Sequence, residues 1–455
     1  MPGHRHASEI AAAGNPPVGS PGATNYTGDG LDMNRNAAGA WLGISGMLAL
    51  IAACGGGGGS DSGSPSPSPP PPPPPSTTGW TLPPAPPTLP APGSTATGVF
   101  RDSNVEGLSY SSAGLSGTTG ANGRYQYVVG QPITFSIGAV TLGTALGQLF
   151  MHPMYLPTDL GSNLTNQIDN RLRFLQMLDS DGNPENGIQI SQAVRDRAQN
   201  WSQVDFTTAP ADLATALATI RADAQSADGT PHDLPDVTPA RAHFGRSVWC
   251  TYSGVYRGNY SGGGENGYVA LVSFGPSLIH AVAYDRSDRT LSLFEGSTPS
   301  ALSLTPDFQA TEIGGAAQFS GDYDNPLIIT GTWSAGGASG AFLASRSYSS
   351  DLPVYRIAGS TFPTLLLVNL EIDANNQVTG IVVDLDVAGN GQPVQVSGTL
   401  VGSSLSVTTA DNSFSITNGT FDTSAAPGTQ VLTGTLRDNR HALDVSLSVP
   451  GCRLN

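Results

Sequence analysis

The chain has 455 residues, a formal net charge of −16 and only 12% charged residues, and its basic side chains other than histidine are all arginine. A negative charge of this size argues against nucleic acid and anionic lipid as electrostatic partners. The low charge and the 57 glycines favour short strands and turns over long surface helices.

The most informative segment is residues 33–53, which are followed by Cys54. Arg35 is the only cation of the segment, an apolar run covers residues 37–53, and the letters IAAC close it. The run is too short for a good membrane span, but it has the layout of a secretory signal. The segment resembles the lipobox signal of bacterial lipoproteins. The resemblance implies cleavage before Cys54, which then carries a lipid such as palmitate.

The residues around this signal carry three further expectations. We interpret residues 1–32, which lack apolar periodicity, as unstructured translation upstream of a true start at Met33. Gly55 stands where enterobacterial lipoproteins of the inner membrane carry aspartate, so the resemblance implies attachment to the outer membrane, on a face that stays open. Residues 54–97 are rich in proline, glycine and serine and cannot form a core. They are expected to be a tether that contains polyproline II at Pro69–Pro75.

Residues 98–150 are predicted to form a small β-sandwich-like spacer domain. Short segments alternate apolar and polar residues, and a turn is expected at residues 118–123. The stretch 117–127, GTTGANGRYQY, resembles the glycine-rich hairpin of carboxypeptidase-regulatory-like and Ig-like modules, with Gly120 where aspartate is usual. This resemblance implies a spacer or stalk.

Residues 151–247 are predicted to form a short helical insert of three or four helices. One apolar face has helical spacing and consists of Leu164, Ile168, Leu172 and Leu175. Ser191 is a candidate N-cap, and a last short helix is expected from Thr238 through Phe244.

Residues 248–455 are predicted to be antiparallel β structure, because turn signals recur about every 8–12 residues. The segments 328–333 and 431–436, IITGTW and VLTGTL, are similar, and further pairs recur at the same offset. Repeats at about 250–350 and 351–452 therefore predict a duplicated, barrel-like meander that forms one barrel or two. The fold class is thus mainly β and multi-domain, and the layout resembles multi-domain envelope lipoproteins.

The chain contains three cysteines. If Cys54 carries a lipid, Cys250 and Cys452 remain. An even remainder in an exported protein predicts a disulfide between them, and two buried free thiols are the alternative.

The segment after residue 178 offers a candidate cation site. Asp179, Asp181, Asn183 and Asn186 place oxygen-bearing side chains at short spacing, as in calcium-binding loops. Pro184 stands where an EF-hand loop has its bending glycine. Two interpretations therefore stay open, a calcium site and a turn stabilised by aspartate and asparagine side chains.

No catalytic motif is apparent in the sequence. The histidines outside the termini show no zinc-binding spacing: His152, His232, His243 and His280. His243 is interpreted as a packed histidine and not as a catalytic base, although a serine, histidine and carboxylate triad can assemble from distant residues. Paired carboxylates for glycoside hydrolysis have candidates in Glu371, Asp373, Asp384 and Asp386.

The sequence therefore favours a non-enzymatic function, with no cofactor other than the candidate calcium. We expect an envelope-anchored protein that binds, adheres or scaffolds through its C-terminal β module, with a glycan or an envelope protein as partner and its lipid in the membrane. Tyr252, Tyr256 and Tyr260 are predicted to share one strand face and to contact the ligand. The alternative is an envelope hydrolase that acts on polysaccharide.

Overall fold

The computed structural model describes residues 86–157, 161–274, 278–297, 307–350, 353–361, 366–385 and 391–454. The predicted signal peptide, Cys54 and most of the tether lie outside the described residues. Within the described part, none of the helices has the length and apolar character needed to cross a membrane. The last residues of the predicted tether belong to the first strand, where Ala96 is buried and pairs with Tyr127.

Eight short strands begin the described chain: β1 Thr95–Phe100, β2 Val105–Glu106, β3 Ser109–Ser112, β4 Leu115–Thr118, β5 Arg124–Val128, β6 Pro132–Ile137, β7 Val140–Leu146 and β8 Phe150–Met151. Strands β5, β1 and β8 form one sheet, and β4, β3, β6 and β7 form another. In β6, the alternation of the sequence buries Ile133, Phe135 and Ile137 completely. The ring of Phe135 lies 4.8 Å from that of Phe100, so the two sheets share a core.

The predicted turn at residues 118–123 connects these two sheets and does not form a hairpin. Strand β4 pairs with β3, whereas β5 pairs with β1. Gly123 has a φ of +66°, and a Cβ atom on it would lie 2.5 Å from the carbonyl oxygen of Phe100. Both the backbone conformation and the close approach therefore require glycine there.

The next segment contains five helices and one short strand: α1 Leu164–Met177, β9 Ile188–Gln189, α2 Gln192–Ala198, α3 Leu213–Ala216, α4 Ala218–Asp228 and α5 Val237–Tyr252. Ile168, Leu172 and Leu175 of the predicted apolar face of α1 are buried. Ser191 caps α2 as predicted, because its Oγ accepts a hydrogen bond of 3.1 Å from the Val194 amide.

The strands of residues 98–150 and the helices of residues 151–247 share one hydrophobic core. A single cluster of buried side chains contains Phe135 of β6 and Leu175 of α1. Strand β9 also pairs in parallel with β2. The spacer and the helical insert predicted as neighbouring domains are therefore packed as one unit.

Helix α5 continues past its predicted end at Phe244, so the predicted strand position of two aromatic residues is wrong. Val248, Trp249 and Tyr252 were expected in the first strand of the β module, but they lie in the last turns of this helix. They continue the spacing of one helix face, and all three are buried in the core of the first barrel. The helix thus packs directly against the β module that follows it.

The C-terminal region forms two closed barrels of eight strands each. The strands of the first barrel are β10 Gly254–Gly262, β11 Glu265–Phe274, β12 Leu278–Asp285, β13 Leu291–Ser297, β14 Asp307–Glu312, β15 Gln318–Asn325, β16 Ile328–Ala335 and β17 Ala338–Arg346. Those of the second are β18 Tyr355–Ser360, β19 Leu366–Ile372, β20 Gln377–Asp384, β21 Pro393–Val401, β22 Ser404–Thr408, β23 Phe414–Phe421, β24 Val431–Asp438 and β25 Leu443–Arg453. In each barrel the last strand pairs with the first, so no strand edge is left free.

The internal sequence repeat corresponds to equivalent strands of the two barrels. Residues 328–333 lie in β16 and residues 431–436 lie in β24, which is the seventh strand of its barrel as β16 is of the first. The predicted fold class, mainly β with a duplicated antiparallel module, is confirmed. The repeats form two barrels and not one.

The two barrels pack against each other through apolar side chains. Strands β11 and β19 are buried on both faces over most of their length. Val272, Leu367 and Val383 belong to an apolar cluster between the barrels, which is separate from the filled interior of each barrel. This cluster joins the barrels into one body.

The predicted disulfide between Cys250 and Cys452 is present, with the two Cα atoms 5.6 Å apart. Cys250 lies in α5 and not in a first strand as expected, and Cys452 lies in β25. The bond therefore joins the helix that precedes the first barrel to the last strand of the second.

Candidate ligand cleft beside the disulfide

A cleft of about 130 Å³ lies beside the disulfide, where α5, β18, β25 and the turn after β1 meet. Apolar side chains form much of its wall: Trp249, Phe274, Ala358, Pro427 and Pro450. Three arginines and one carboxylate also line it: Arg246, Arg356, Arg453 and Glu185. An apolar wall with a few polar groups is the usual composition of a small-molecule site.

Helix α5 presents one face to the cleft. Arg246, Trp249, Cys250 and Ser253 follow the spacing i, i+3, i+4, i+7, and all four line the cleft. The disulfide joins this face of α5 to β25, and both elements contribute residues to the wall of the cleft.

Arg356 is buried and fully partnered. Its Nε donates to the Oε1 atom of Glu371 at 2.8 Å, and a second guanidinium nitrogen lies 2.7 Å from the same oxygen. The third donates to the carbonyl oxygens of Cys250 and Thr251 at 2.8 and 3.0 Å. Because these carbonyls end α5, the cation also stabilises the negative end of the helix dipole. Arg356 therefore positions the helix.

The other two arginines of the cleft have donors without acceptors. Among the described residues, no hydrogen-bond acceptor reaches the buried Nε atoms of Arg246 and Arg453. Arg246 is paired with Glu185 through a terminal nitrogen, and Arg453 lies over the ring of Tyr355 at 5.7 Å. An unsatisfied buried donor is costly, and both arginines line the cleft, so their guanidinium groups are the candidate contacts for an anion there.

Among the described residues, the neighbourhood of the cleft carries more positive than negative groups. Arg101 is half-buried nearby and donates to the carbonyl of Leu454. Burial, and then the charge of Arg356, lower the pKa of Arg101 to about 9. This is the response of a buried cation that lacks a countercharge. In a chain with a net charge of −16, the cleft is thus a locally positive site.

A buried polar network lies at one end of the cleft. The Nδ1 atom of His243 lies within hydrogen-bond distance of the Glu185 carboxylate, at 2.9 Å. Its Nε2 atom lies 3.1 Å from the Ser103 hydroxyl oxygen. The Asp102 carboxylate lies 3.6 Å from the same Nε2 and accepts from the Gln176 amide at 3.2 Å. The network joins the turn after β1 to helix α5.

The electrostatics of this network favour the charged form of His243. Burial lowers its pKa, but the hydrogen bond to Glu185 and the charges of Asp102 and Glu185 outweigh burial, so the pKa is raised. Burial raises the pKa of Asp102 to about 6 in spite of the opposing effects of His243 and Gln176. A histidine between two carboxylates retains its proton more strongly than a free one.

The contacts of His243 resemble those of a catalytic triad. Its ring lies between the hydroxyl of Ser103, a candidate nucleophile, and the carboxylate of Glu185. Ser103 has a φ of 62°, a conformation that residues with a side chain rarely adopt. Its backbone amide donates to the Ser247 hydroxyl at 2.7 Å and is therefore not free to stabilise an oxyanion. Sequence reasoning named His243 only as a packed residue and missed Ser103 and Glu185. The three residues are too far apart in the chain for any spacing to indicate them.

The three tyrosines proposed as ligand contacts are buried. Tyr252, Tyr256 and Tyr260 are 2%, 0% and 7% exposed. Tyr252 lies in α5, so only Tyr256 and Tyr260 share a strand face, and their rings pack inside the first barrel against Tyr323 and Trp333. These rings are part of the hydrophobic core of the first barrel. Their contact with a ligand stays an untested prediction.

The described candidate carboxylates for hydrolysis form ion pairs with arginines or accept hydrogen bonds from backbone amides of a turn. Glu371 is paired with Arg356, and Asp384 lies 2.7 Å from a guanidinium nitrogen of Arg440. Asp373 accepts two backbone amides of its own turn. Asp386 lies outside the described residues. Asp384 also approaches Asp438 and His441 closely enough to hold a metal, but Arg440 bridges the two carboxylates and supplies the positive charge.

The candidate cation loop lies next to this network. The structure brings Asp179, Asp181 and Asn186 together, whereas Asn183 contributes its backbone amide, which donates to Asp181 at 2.8 Å. Burial raises the pKa of Asp179 to about 7, and the Asp181 carboxyl adds to this effect.

No family model matches the chain, and no curated protein or solved structure matches it. A function for the chain therefore has to be inferred from the chemistry of the cleft.

Proposed function

We propose that the chain is an envelope-anchored binding protein whose cleft beside the disulfide holds a small organic anion and does not transform it. The single observation that carries this proposal is that Arg246 and Arg453 line one cleft and that each keeps a buried Nε for which the described residues offer no acceptor. The anchor in this proposal rests on the lipobox-like segment that ends at Cys54.

The chemistry of the walls defines the ligand class. Two guanidinium groups suit a carboxylate, sulfate or phosphate group, because their planar donors match such oxygens. Phe274, Pro427 and Pro450 offer apolar area to the remainder of the ligand. We therefore expect an anion with an apolar body to bind more tightly than one with a hydroxylated body. Benzoate and glucuronate represent these two types, and glucuronate also represents an acidic sugar of an envelope glycan.

The experiment is a calorimetric titration of the full chain with benzoate and glucuronate at low ionic strength. We expect one binding site, and Arg453→Gln or Arg246→Gln should weaken benzoate binding about tenfold or more, which corresponds to about 1.4 kcal/mol. Arg437→Gln is the matched control, because Arg437 forms an exposed ion pair with Asp444 on the second barrel. Binding that both cleft variants leave unchanged would contradict the proposal.

A second candidate function is hydrolysis of ester groups on envelope polysaccharide. It is favoured by one observation, the Ser103–His243–Glu185 order at distances of 3.1 and 2.9 Å. A serine nucleophile acts on acyl groups and not on glycosidic bonds. The raised pKa of His243 and the engaged amide of Ser103 oppose this function. The binding function is therefore preferred.

The variant Ser103→Ala distinguishes the hydrolase from the binding protein. A hydrolase would label at Ser103 with a fluorophosphonate and release acetate from acetylated polysaccharide, and both signals would disappear in the variant. A binding protein would show neither signal in the wild type. In that case Ser103→Ala would leave the affinity for benzoate within about twofold.

A further inference from the structure

The loop between α1 and β9 contains a buried carboxylate oxygen without a hydrogen-bond donor. Asp179 is 1% exposed, and its Oδ1 accepts a hydrogen bond of 2.8 Å from the Gln189 amide. Its Oδ2 is buried, and no donor of the described residues reaches it. A buried carboxylate oxygen without a partner is expensive, and a cation beside it would offset this cost.

Two further oxygen-bearing side chains adjoin Asp179. Asp181 Oδ2 accepts a hydrogen bond of 2.8 Å from the Asn186 side-chain amide. Asn186 Oδ1 is itself buried, and it too receives no hydrogen bond from the described part of the chain. The loop therefore gathers two carboxylates and one amide, and it leaves two buried oxygens unsatisfied. Hydrogen bonds within the loop do not account for either of them.

We propose that Asp179, Asp181 and Asn186 bind a divalent cation of the calcium type. Calcium prefers carboxylate and carbonyl oxygens and tolerates irregular geometry, and water and backbone carbonyls complete its six to eight ligands. The cation would satisfy Asp179 Oδ2 directly. A rotation of the Asn186 amide would turn its oxygen towards the carboxylate of Asp181, which its nitrogen now contacts.

The loop differs from an EF-hand in the way it closes. The 3-10 turn Pro184–Asn186 returns the chain early, so that Asn186 reaches Asp181. Ile190, at the position of the bidentate glutamate of an EF-hand, is buried and cannot act as a ligand. With two carboxylates in place of four, we expect a weak site, with a Kd of about 10⁻⁴–10⁻³ M as in extracellular modules.

The site adjoins the cleft through one residue. Glu185 lies between Pro184 and Asn186 and contacts both His243 and Arg246. A cation that orders this turn also holds Glu185 in place at the cleft. The cation site itself does not rest on the proposed binding function, because its oxygens belong to the loop alone.

The test is calorimetry and thermal unfolding of the EDTA-treated full chain with CaCl₂ and MgCl₂. The wild type should bind one Ca²⁺ and show a higher Tm at about 10 mM Ca²⁺. Asp181→Asn, on the exposed side of the loop, should abolish both effects without loss of folding. Asp179→Asn should abolish them too. In EDTA it should match or exceed the wild-type Tm, because it removes a buried charge while still accepting from Gln189.

Asp373→Asn is the matched control. Asp373 accepts two backbone amides in a turn of the second barrel. This variant should keep the wild-type response to Ca²⁺. The proposal would be overturned if the wild type gave no heat and no Tm shift at this concentration, or if the response survived in both loop variants.

Discussion

At the level of single residues, the arginines of the cleft form one group whose guanidinium nitrogens are all partnered and one group that keeps a nitrogen without an acceptor. Arg356 has a carboxylate and two carbonyls around its guanidinium group. Arg246 is paired with Glu185, but Arg246 and Arg453 each keep a buried Nε–H that no acceptor of the described residues reaches. A buried pair costs desolvation and is strongly destabilising once broken, whereas an exposed pair contributes little. The first group therefore serves stability, and the second is available to a ligand.

This distinction predicts the effect of removing one carboxylate. Glu371→Gln leaves Arg356 buried without a charged partner and should lower the free energy of unfolding by about 3–5 kcal/mol. Asp444→Asn breaks the exposed pair with Arg437 and should cost about 0–1 kcal/mol. Urea unfolding of both variants checks this. Equal effects of the two substitutions would contradict it.

The His243 network predicts a dependence of stability on pH. The pKa of His243 is raised above its usual 6.5, so its contribution is fully present below pH 6.5 and is lost as the pH rises through the folded value. His243→Gln should therefore cost about 2 kcal/mol near pH 6 and less near pH 9. Burial lowers the pKa of His280, so His280→Gln should show the opposite slope. A parallel pH dependence for the two variants would rule out the charged network.

Sequence reasoning found few of these residues. Cys250 and Cys452 could be paired by counting, because the predicted lipid on Cys54 leaves only two of the three cysteines. The cleft could not be found, because Ser103, Glu185 and His243 come from separate elements, and only the fold brings them together. The tyrosines were selected for an aromatic pattern that a barrel interior produces equally well.

At the scale of elements, the strand repeats were predictable and the end of α5 was not. Strands β16 and β24 carry matching TGT segments, so their equivalence is visible in the sequence. Helix α5 ends in VWCTY, a run rich in β-branched and aromatic residues that favours a strand by local propensity. Packing of Val248, Trp249 and Tyr252 into the first barrel overrides that preference.

The disulfide is the covalent link between these elements. Reduction, or a Cys250→Ser and Cys452→Ser double variant, should lower the free energy of unfolding by about 2–4 kcal/mol, because the bond spans a long stretch of chain. Since Cys250 and Cys452 line the cleft, benzoate affinity should fall as well. Denaturant titration under oxidising and reducing conditions measures the first effect, and calorimetry the second. Unchanged stability after complete reduction would contradict this role.

At the level of the whole molecule, the described residues belong to one compact unit. The apolar cluster between the barrels, the disulfide and Arg356 connect helix α5 and the two barrels. The core that the first strands share with the helices joins the predicted spacer to them. Closed barrels have no free strand edges to recruit a partner strand. A preformed cleft at the junction of the regions is consistent with a binding head held on a tether.

The anchor is predicted at this scale too. Cleavage before Cys54 and acylation should place the chain in the membrane fraction, and Cys54→Ala should remove it from that fraction or leave the signal uncut. Mass spectrometry of the mature N-terminus measures this directly. Cleavage at another position without an acyl mass would disprove the lipoprotein prediction.

Binding of an anion at Arg246 and Arg453 can be measured by NMR of the full chain with ¹⁵N-labelled arginine during a benzoate titration. The Nε signals are assigned with Arg246→Gln and Arg453→Gln. We expect these two signals to shift together and to saturate at one affinity, while the Arg437 signal stays unchanged. Saturation without movement of the Arg246 and Arg453 signals, or the absence of any saturable shift, would contradict it.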